Sequence, residues 1–380
     1  MKKKTIIFLL FLATIDISAR VINNTEFEDP HPGQTLTGQT PEETTWNFNQ
    51  QIVWVIDKAG NEDFGRPGEP RIGNKDILYL HDFDKKFSYI FDAQGKFIKK
   101  FAYEGENQEV SRYMNCFTFG EYVVIGAMDK LHFYTDDGKM IKSYSNNIFM
   151  RFPLTFINKA EFLVAPGALS GLPAGTAEIT KVNLESGKDI KFAEVKLNEE
   201  EKALPPGGVI LGLTPQILAT YDDINERIYY CKNSEYKIYI ADLNGNILNS
   251  FEKELERINV SLDARKEHLR FFLKDRPDET ITTMAKGLPG ELAYFHNIQV
   301  NNGFLYIFRM TEFSRKCTKQ EIDIYSLDGK FLYNGTIQFE NGLYLKTVNG
   351  IQIRGNSLYA LLLNNNGKIQ IVKYKIDIPN

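Results

Sequence analysis

Ile77–Phe101 reads ILYLHDFDKKFSYIFDAQGKFIKKF. Apolar and β-branched residues fill Ile77–Leu80, Phe87–Phe91 and Phe97–Phe101, and polar or glycine-bearing residues separate them. That pattern predicts three short strands joined by two tight turns. The second turn, Asp92-Ala93-Gln94-Gly95-Lys96, has hairpin chemistry. Its Asp can bond its own backbone two residues on, and its Gly takes the positive φ that closes the turn.

The unit returns along the chain. A second copy begins near Tyr113 and ends on Thr135-Asp136-Asp137-Gly138-Lys139; a third begins at Phe152 and turns at Gly187. A fourth begins at about Pro215 with Gly245, a fifth at about Phe295 with Gly329, and a sixth at about Lys346. The matching glycines are 43 residues apart from Gly95 to Gly138, then 49 to Gly187, 58 to Gly245 and 84 to Gly329. The shortest interval fits one four-stranded propeller blade of roughly 40–50 residues. Two insertions stretch the longer ones: the loop Glu199–Gly212, and Lys253–Glu291, whose helix-like spacing predicts one or two helices.

The two ends of the chain decide the architecture. The sixth unit has three strands and lacks an outer fourth, while Gln51–Asp57, QIVWVID, is a strand with no hairpin partner. Joining them closes a ring and covers sheet edges. The sequence therefore predicts an all-β, six-bladed β-propeller, its last blade completed by the N-terminal strand, with a helical insertion before blade five. An open solenoid would not need the orphan strand, and two sandwiches would not repeat the glycine turn.

The pattern ILYL, then YIFD-x-x-GKFIKKF, then the loop Tyr103-Glu104-Gly105-Glu106, resembles the bacterial NHL-like six-bladed propellers, over about Gln51 to Asp377. The resemblance implies a fold and an exported protein. The wider superfamily holds calcium-dependent lactonases, lyases and synthases beside binding modules, and no catalytic residue carries over.

Composition agrees with an ordered globular chain: 43% hydrophobic and 13% aromatic over 380 residues. A formal net charge of −4 gives no reason to expect nucleic acid or an anionic membrane. Cys116, Cys231 and Cys317 are odd in number and share no short pairing motif, so free thiols are expected. Lys2-Lys3-Lys4 followed by apolar Thr5–Thr14 and Ile17-Ser18-Ala19 reads as a signal peptide over 1–19. Export to the periplasm, the medium or the cell surface is expected. An extended leader over 20–50 and the propeller over 51–380 follow, with no membrane-spanning segment in the mature chain and a monomeric state.

Residues near the start of each innermost strand are candidates to face the central channel: Arg71, Arg112 with Tyr113, Arg151, Gln216, His296 with Asn297, and Lys346. Converging cations would suit a carboxylate, sulfate or sugar-acid ligand through forked hydrogen bonds. The alternative is an ordinary polar residue at each junction. His81, Asp82 and Asp84 form the one local metal candidate, against a plain polar turn, and calcium would want further oxygen donors from other blades. His132 is expected to pack within a strand, and His268 to lie on the surface of the insertion.

No phosphate loop, nucleophile elbow, paired-cysteine zinc motif or HExxH is present. The reading that follows is a non-enzymatic exported propeller binding a protein, small-molecule or glycan partner on the face that carries its long loops. The alternative is a hydrolase or lyase with its site at the channel mouth, metal-assisted or not. A third reading is an envelope scaffold making contact through the Lys253–Glu291 insertion.

Overall fold

Six antiparallel sheets follow one another along the chain, each ordered from the channel outward. The computed structural model describes residues 44–102, 115–119, 122–126, 130–135, 138–145, 151–166, 169, 175–203, 212–340 and 342–379. Blade one comprises Arg71–Ile72, Leu78–Asp82, Phe87–Phe91 and Phe97–Ala102. Blade two runs from Asn115–Phe119 to Met140–Ser145, blade three from Arg151–Phe156 to Lys188–Lys196, and blade four from Ile217–Asp222 to Ile247–Glu252. Blade five runs from Phe295–Asn301 to Phe331–Gln338. The expected signal peptide and most of the leader lie outside the described residues.

Blade six is built from both ends of the chain. Its innermost strand comes in two pieces, Leu343–Leu345 and Ile351–Arg354, both paired with Ser357–Asn364. Ile369–Lys375 follows, and Gln51–Ile56 pairs antiparallel with it as the outer strand. The orphan strand therefore closes the ring as its sequence predicts. Just upstream, Thr45–Trp46 pairs in parallel with Asn334 and Gly335 on blade five. Phe48 sinks into the core beside it, and the Trp46 Nε1 donates to the Asp377 carbonyl at 3.0 Å.

The core lies in the seams. Each pair of neighbouring blades shares one apolar cluster, from blades six and one (Ile56, Leu80, Tyr89, Tyr359) round to five and six (Phe48, Phe308, Leu358, Tyr374). Six seams for six blades leave no open side, so hydrophobic burial holds the ring shut as well as each sheet.

The turns joining the third and outer strands share a geometry. Asp92 Oδ1 accepts from the amides of Gln94 and Lys96, and Gly95 at φ +78° closes the loop. Thr135, Asp242 and Ser326 anchor the equivalent turns with their own side-chain oxygens. The glycine has a second reason in packing. A Cβ at Gly95 would meet Trp54 at 2.9 Å, at Gly138 it would meet Phe101 at 2.9 Å, and at Gly329 it would meet Phe251 at 2.5 Å. Each turn thus rests on the outer strand of the blade before it, and only glycine permits the approach.

These tight turns gather at one end of the ring. Antiparallel alternation puts the blade-to-blade connections and the loops between second and third strands at the other. Helix α1 (Glu199–Ala203), helix α2 (Leu262–Phe272) and helix α3 (Asp278–Lys286) all belong to that second, loop-rich face. Ser261 caps α2, accepting from the Ala264 amide. The α2–α3 pair has its own small core of Leu269, Leu273, Ile281 and Ala285, seated over Leu213, Val260, Leu292 and Met310.

Candidate functional site

The innermost strands are stitched to one another by polar side chains. On blade five, the Gln299 amide donates to the Ile351 carbonyl and accepts from the Ile353 amide of blade six. Asn301 does the same for Gly355. The Arg354 guanidinium donates to the Ile72 carbonyl on blade one at 2.6 Å, and Thr118 of blade two donates to that same carbonyl at 3.0 Å. These strands have no inter-blade ladder, so side-chain amides and hydroxyls satisfy the backbone groups they would otherwise orphan.

The candidate mouth residues are engaged in the same way. Arg71 Nη2 meets Glu69 Oε2 at 2.5 Å. Lys346 opens the break in the blade six strand. The Lys346 amide donates to the Leu361 carbonyl, the Leu361 amide donates to Gly350, and 347–349 loop out between them. Its Nζ reaches across to the Pro67 carbonyl of blade one at 2.7 Å. Burial, aided by the neighbouring Arg66 guanidinium, pulls the Lys346 amine down to about 8.

His296 is buried, with Nε2 3.0 Å from Gln320 Oε1 and Nδ1 3.1 Å from Asn349 Oδ1. The Gln320 nitrogen donates to the Arg309 and Glu321 carbonyls, so its oxygen must accept, and His296 Nε2 carries the proton. Burial pushes the ring down to about 4, so it is neutral and Nδ1 accepts. The Asn349 amide then has to present its nitrogen to the ring. Asn297 is half-buried beside a bulge in the same strand, and Gln216 is half-buried at the top of blade four. Arg112 and Tyr113 lie outside the described residues, as does the Arg151 side chain. The structure thus brings His296 to blade six and Lys346 to blade one, and Arg71 and Lys346 each hold a partner of their own.

The metal candidates part company. Asp82 is fully buried, and its carboxylate accepts from the amides of Gly65 (2.7 Å), Arg66 (3.0 Å), Asp84 and Lys85 (both 3.2 Å). Asp84 turns to the Arg66 guanidinium at 3.1 Å. The His81 ring lies edge-on to Phe83 at 4.5 Å, with burial lowering it to about 4. Among the described residues no three His, Cys, Asp or Glu side chains are grouped to hold an ion. Cys231 and Cys317 are free and buried.

Two buried ionic networks were not anticipated. Asp323, in a blade five strand, takes the Tyr236 hydroxyl at 2.6 Å and the Asn334 amide at 2.8 Å, with Lys253 at 3.4 Å and Arg309 at 3.8 Å. It pins blade four and the root of the insertion to blade five. Its signal was an acid on the apolar strand Glu321-Ile322-Asp323-Ile324. Glu201 takes Lys232 at 2.8 Å and the Ser234 hydroxyl, and its amide bonds Asn198 in a capping box on α1. The spacing Asn198-x-x-Glu201 carried that signal.

On the loop-rich face, aromatic and cationic groups interleave. Arg315, from the long blade five loop, stacks over Phe271 of α2 at 3.1 Å, with Lys274 at 5.5 Å from the same ring. Lys316 sits over Tyr344. His268, expected on the surface of the insertion, is half-buried on α2 against Phe313 at 4.8 Å; burial lowers it to about 4. Its helix lies down on this loop, which helical periodicity by itself does not reveal. Among the described residues, two small concavities, one beside Glu201 and Ser234 and one beside Arg309 and Gln320, each hold about 10 Å³, room for one water.

No family model matches this chain, and no curated protein matches it. Among solved structures it is similar to a member of the DUF4221 family from Bacteroides vulgatus, at 10% identity and a TM-score of 0.55, over 87% of this chain and 99% of that one. It is also similar to a Bacteroides fragilis protein named as a candidate exported protein, at 11% identity and a TM-score of 0.51, over 88% and 98%. The likeness is one of fold. No described helix is long and apolar enough to cross a membrane.

Proposed function

We propose that this chain is an exported binding protein that engages a protein or glycan partner through its loop-rich face. One division of the polar groups carries the reading. Around the channel, Arg71, His296, Gln299, Asn301 and Lys346 are engaged with neighbouring blades or turns. The loop-rich face carries the insertion, with Phe271 and Arg315 both exposed. Exposed aromatic and arginine side chains on a rigid support are the kind of groups that anchor interfaces. The Lys2–Ala19 pattern supports export, and the Asp-x-x-Gly turns at Asp92–Gly95 and Asp242–Gly245 support kinship with NHL-like propellers.

The test is the double variant Phe271→Ala, Arg315→Ala, immobilised beside the unaltered protein and exposed to envelope extract and a glycan array. The proposal expects a partner retained by the unaltered protein and lost from the variant, with equal melting temperatures. Retention by both would sink it. So would turnover of an ester, lactone or glycan abolished by one substitution on this face.

A further inference from the structure

Every blade of an open-edged ring presents an outer strand with unpaired backbone groups, and soluble proteins guard such edges. Five of the six are guarded. Blade one's edge, FIKKFA, carries Lys99 and Lys100; blade two's, MIKSYS, carries Lys142; blade three's, KDIKFAEVK, carries five charges. Blade four's, ILNSFE, exposes Ile247 and Leu248 but sets Asn249 and Ser250 at its middle and ends on the charged Glu252. Blade five's is covered at its middle, Asn334–Gly335, by Thr45–Trp46. Blade six's edge, Gln51–Ile56, reads QIVWVI and has no charge at all.

The exposure of that strand is of one kind. Trp54 and Ile56 turn inward to the seam with blade one. Ile52, Val53 and Val55 are 41%, 52% and 47% exposed. A bulge at Val53 does not set this edge apart, because Ile98, Ile141, Leu248 and Leu332 are the extra residues of equivalent bulges on other blades. What differs is three exposed β-branched residues in six, with no Lys or Glu to reject a neighbour.

We infer that the outer edge of blade six is an interface, and that its occupant is the same strand of a second copy of this chain, paired antiparallel about a two-fold axis. Self-pairing centred on Val53 sets Val53 against Val53 and Ile52 against Trp54 of the other copy, apolar against apolar. It brings Asp57 and Lys58 opposite the neutral stretch Phe48–Gln50 of the other copy, so no like charges meet. The edge is also continuous with an existing strand addition, since the segment that pairs with blade five runs directly into it. An isologous pair uses up both open edges, so association stops at two. Two six-residue strands bury less than a standard interface, which makes the dimer concentration-dependent. A dimer departs from the monomer expected from the sequence, and the inference is independent of what the loop-rich face binds.

The experiment is sedimentation velocity on the full chain across a concentration series, repeated with Val53→Lys, Val55→Lys and Val53→Glu. The expected result is a dimer fraction that rises with concentration and is lost in each variant, with unchanged melting temperatures. Mixing Val53→Lys with Val53→Glu chains should restore a heterodimer, which no folding defect can mimic. A monomer at every concentration would overturn the inference. So would a dimer that persists in all three variants, or a dimer lost in them but not restored on mixing.

Discussion

Trp54 Nε1 donates to the Ala93 carbonyl at 3.0 Å, and the same indole lies against Gly95. One side chain on the N-terminal strand thereby holds blade six to the turn of blade one. Trp54→Ala removes the hydrogen bond and the packing together, and is expected to cost about 2–4 kcal/mol. Gly95→Ala forces a Cβ into the indole at positive φ and should cost about 1–2 kcal/mol. Denaturant unfolding monitored by tryptophan fluorescence reads both.

The buried Asp323 makes a sharper case. Asp323→Ala leaves Tyr236, Asn334 and the flanking Lys253 facing a gap, with an expected loss of about 3–5 kcal/mol. Tyr236→Phe removes the bond to Asp323 and the acceptor of the Tyr325 hydroxyl, and should cost about 1.5–3 kcal/mol. A double-mutant cycle in chemical unfolding separates the pair, because the two losses should fall short of additive.

Acid should loosen the ring through its histidines. His296 titrates near 4 in the fold because it is buried, against about 6.5 in the unfolded chain. A depressed folded pKa means that the neutral form is the stable one. The contribution is complete above about pH 6.5 and is lost as pH falls towards 4. It is worth about 3 kcal/mol for this residue alone. His296→Gln should flatten the fall in melting temperature between pH 6.5 and 4, read by calorimetry.

Asp82 is expected to behave as a turn anchor. Asp82→Ala strands four amides and should cost about 3 kcal/mol, while Asp82→Asn keeps an acceptor and should lose less. In thermal-shift titrations, neither calcium nor a chelator should move the melting temperature of the unaltered protein by more than added salt does.

The ring was readable from sequence because its signals are local and repeated. The Asp-x-x-Gly turn at Asp92–Gly95, the strand Gln51–Asp57 without a hairpin partner and the three-stranded last unit together demand closure. The mouth was harder to read. Sequence position places Arg71, His296 and Lys346 at strand starts, yet does not show that Glu69 two residues away, Gln320 on the third strand of the same blade and Pro67 of blade one occupy them. The same reason hid the role of Asp82: its partners include Gly65 and Arg66, on a loop that its own strand does not predict. Polar side chains near an axis look like ligand groups in one dimension and become inter-blade stitching in three.

The most direct measurement is photo-crosslinking from single positions on the two faces, in cells or in envelope extract. A photoreactive residue at Phe271, Lys274 or Lys316 should capture one discrete partner. The same probe at Gln94, Asn244 or Asp328, on the tight turns of the other end, should capture none. Capture from the tight-turn end, or equal capture from both, would contradict a binding role for the loop-rich face.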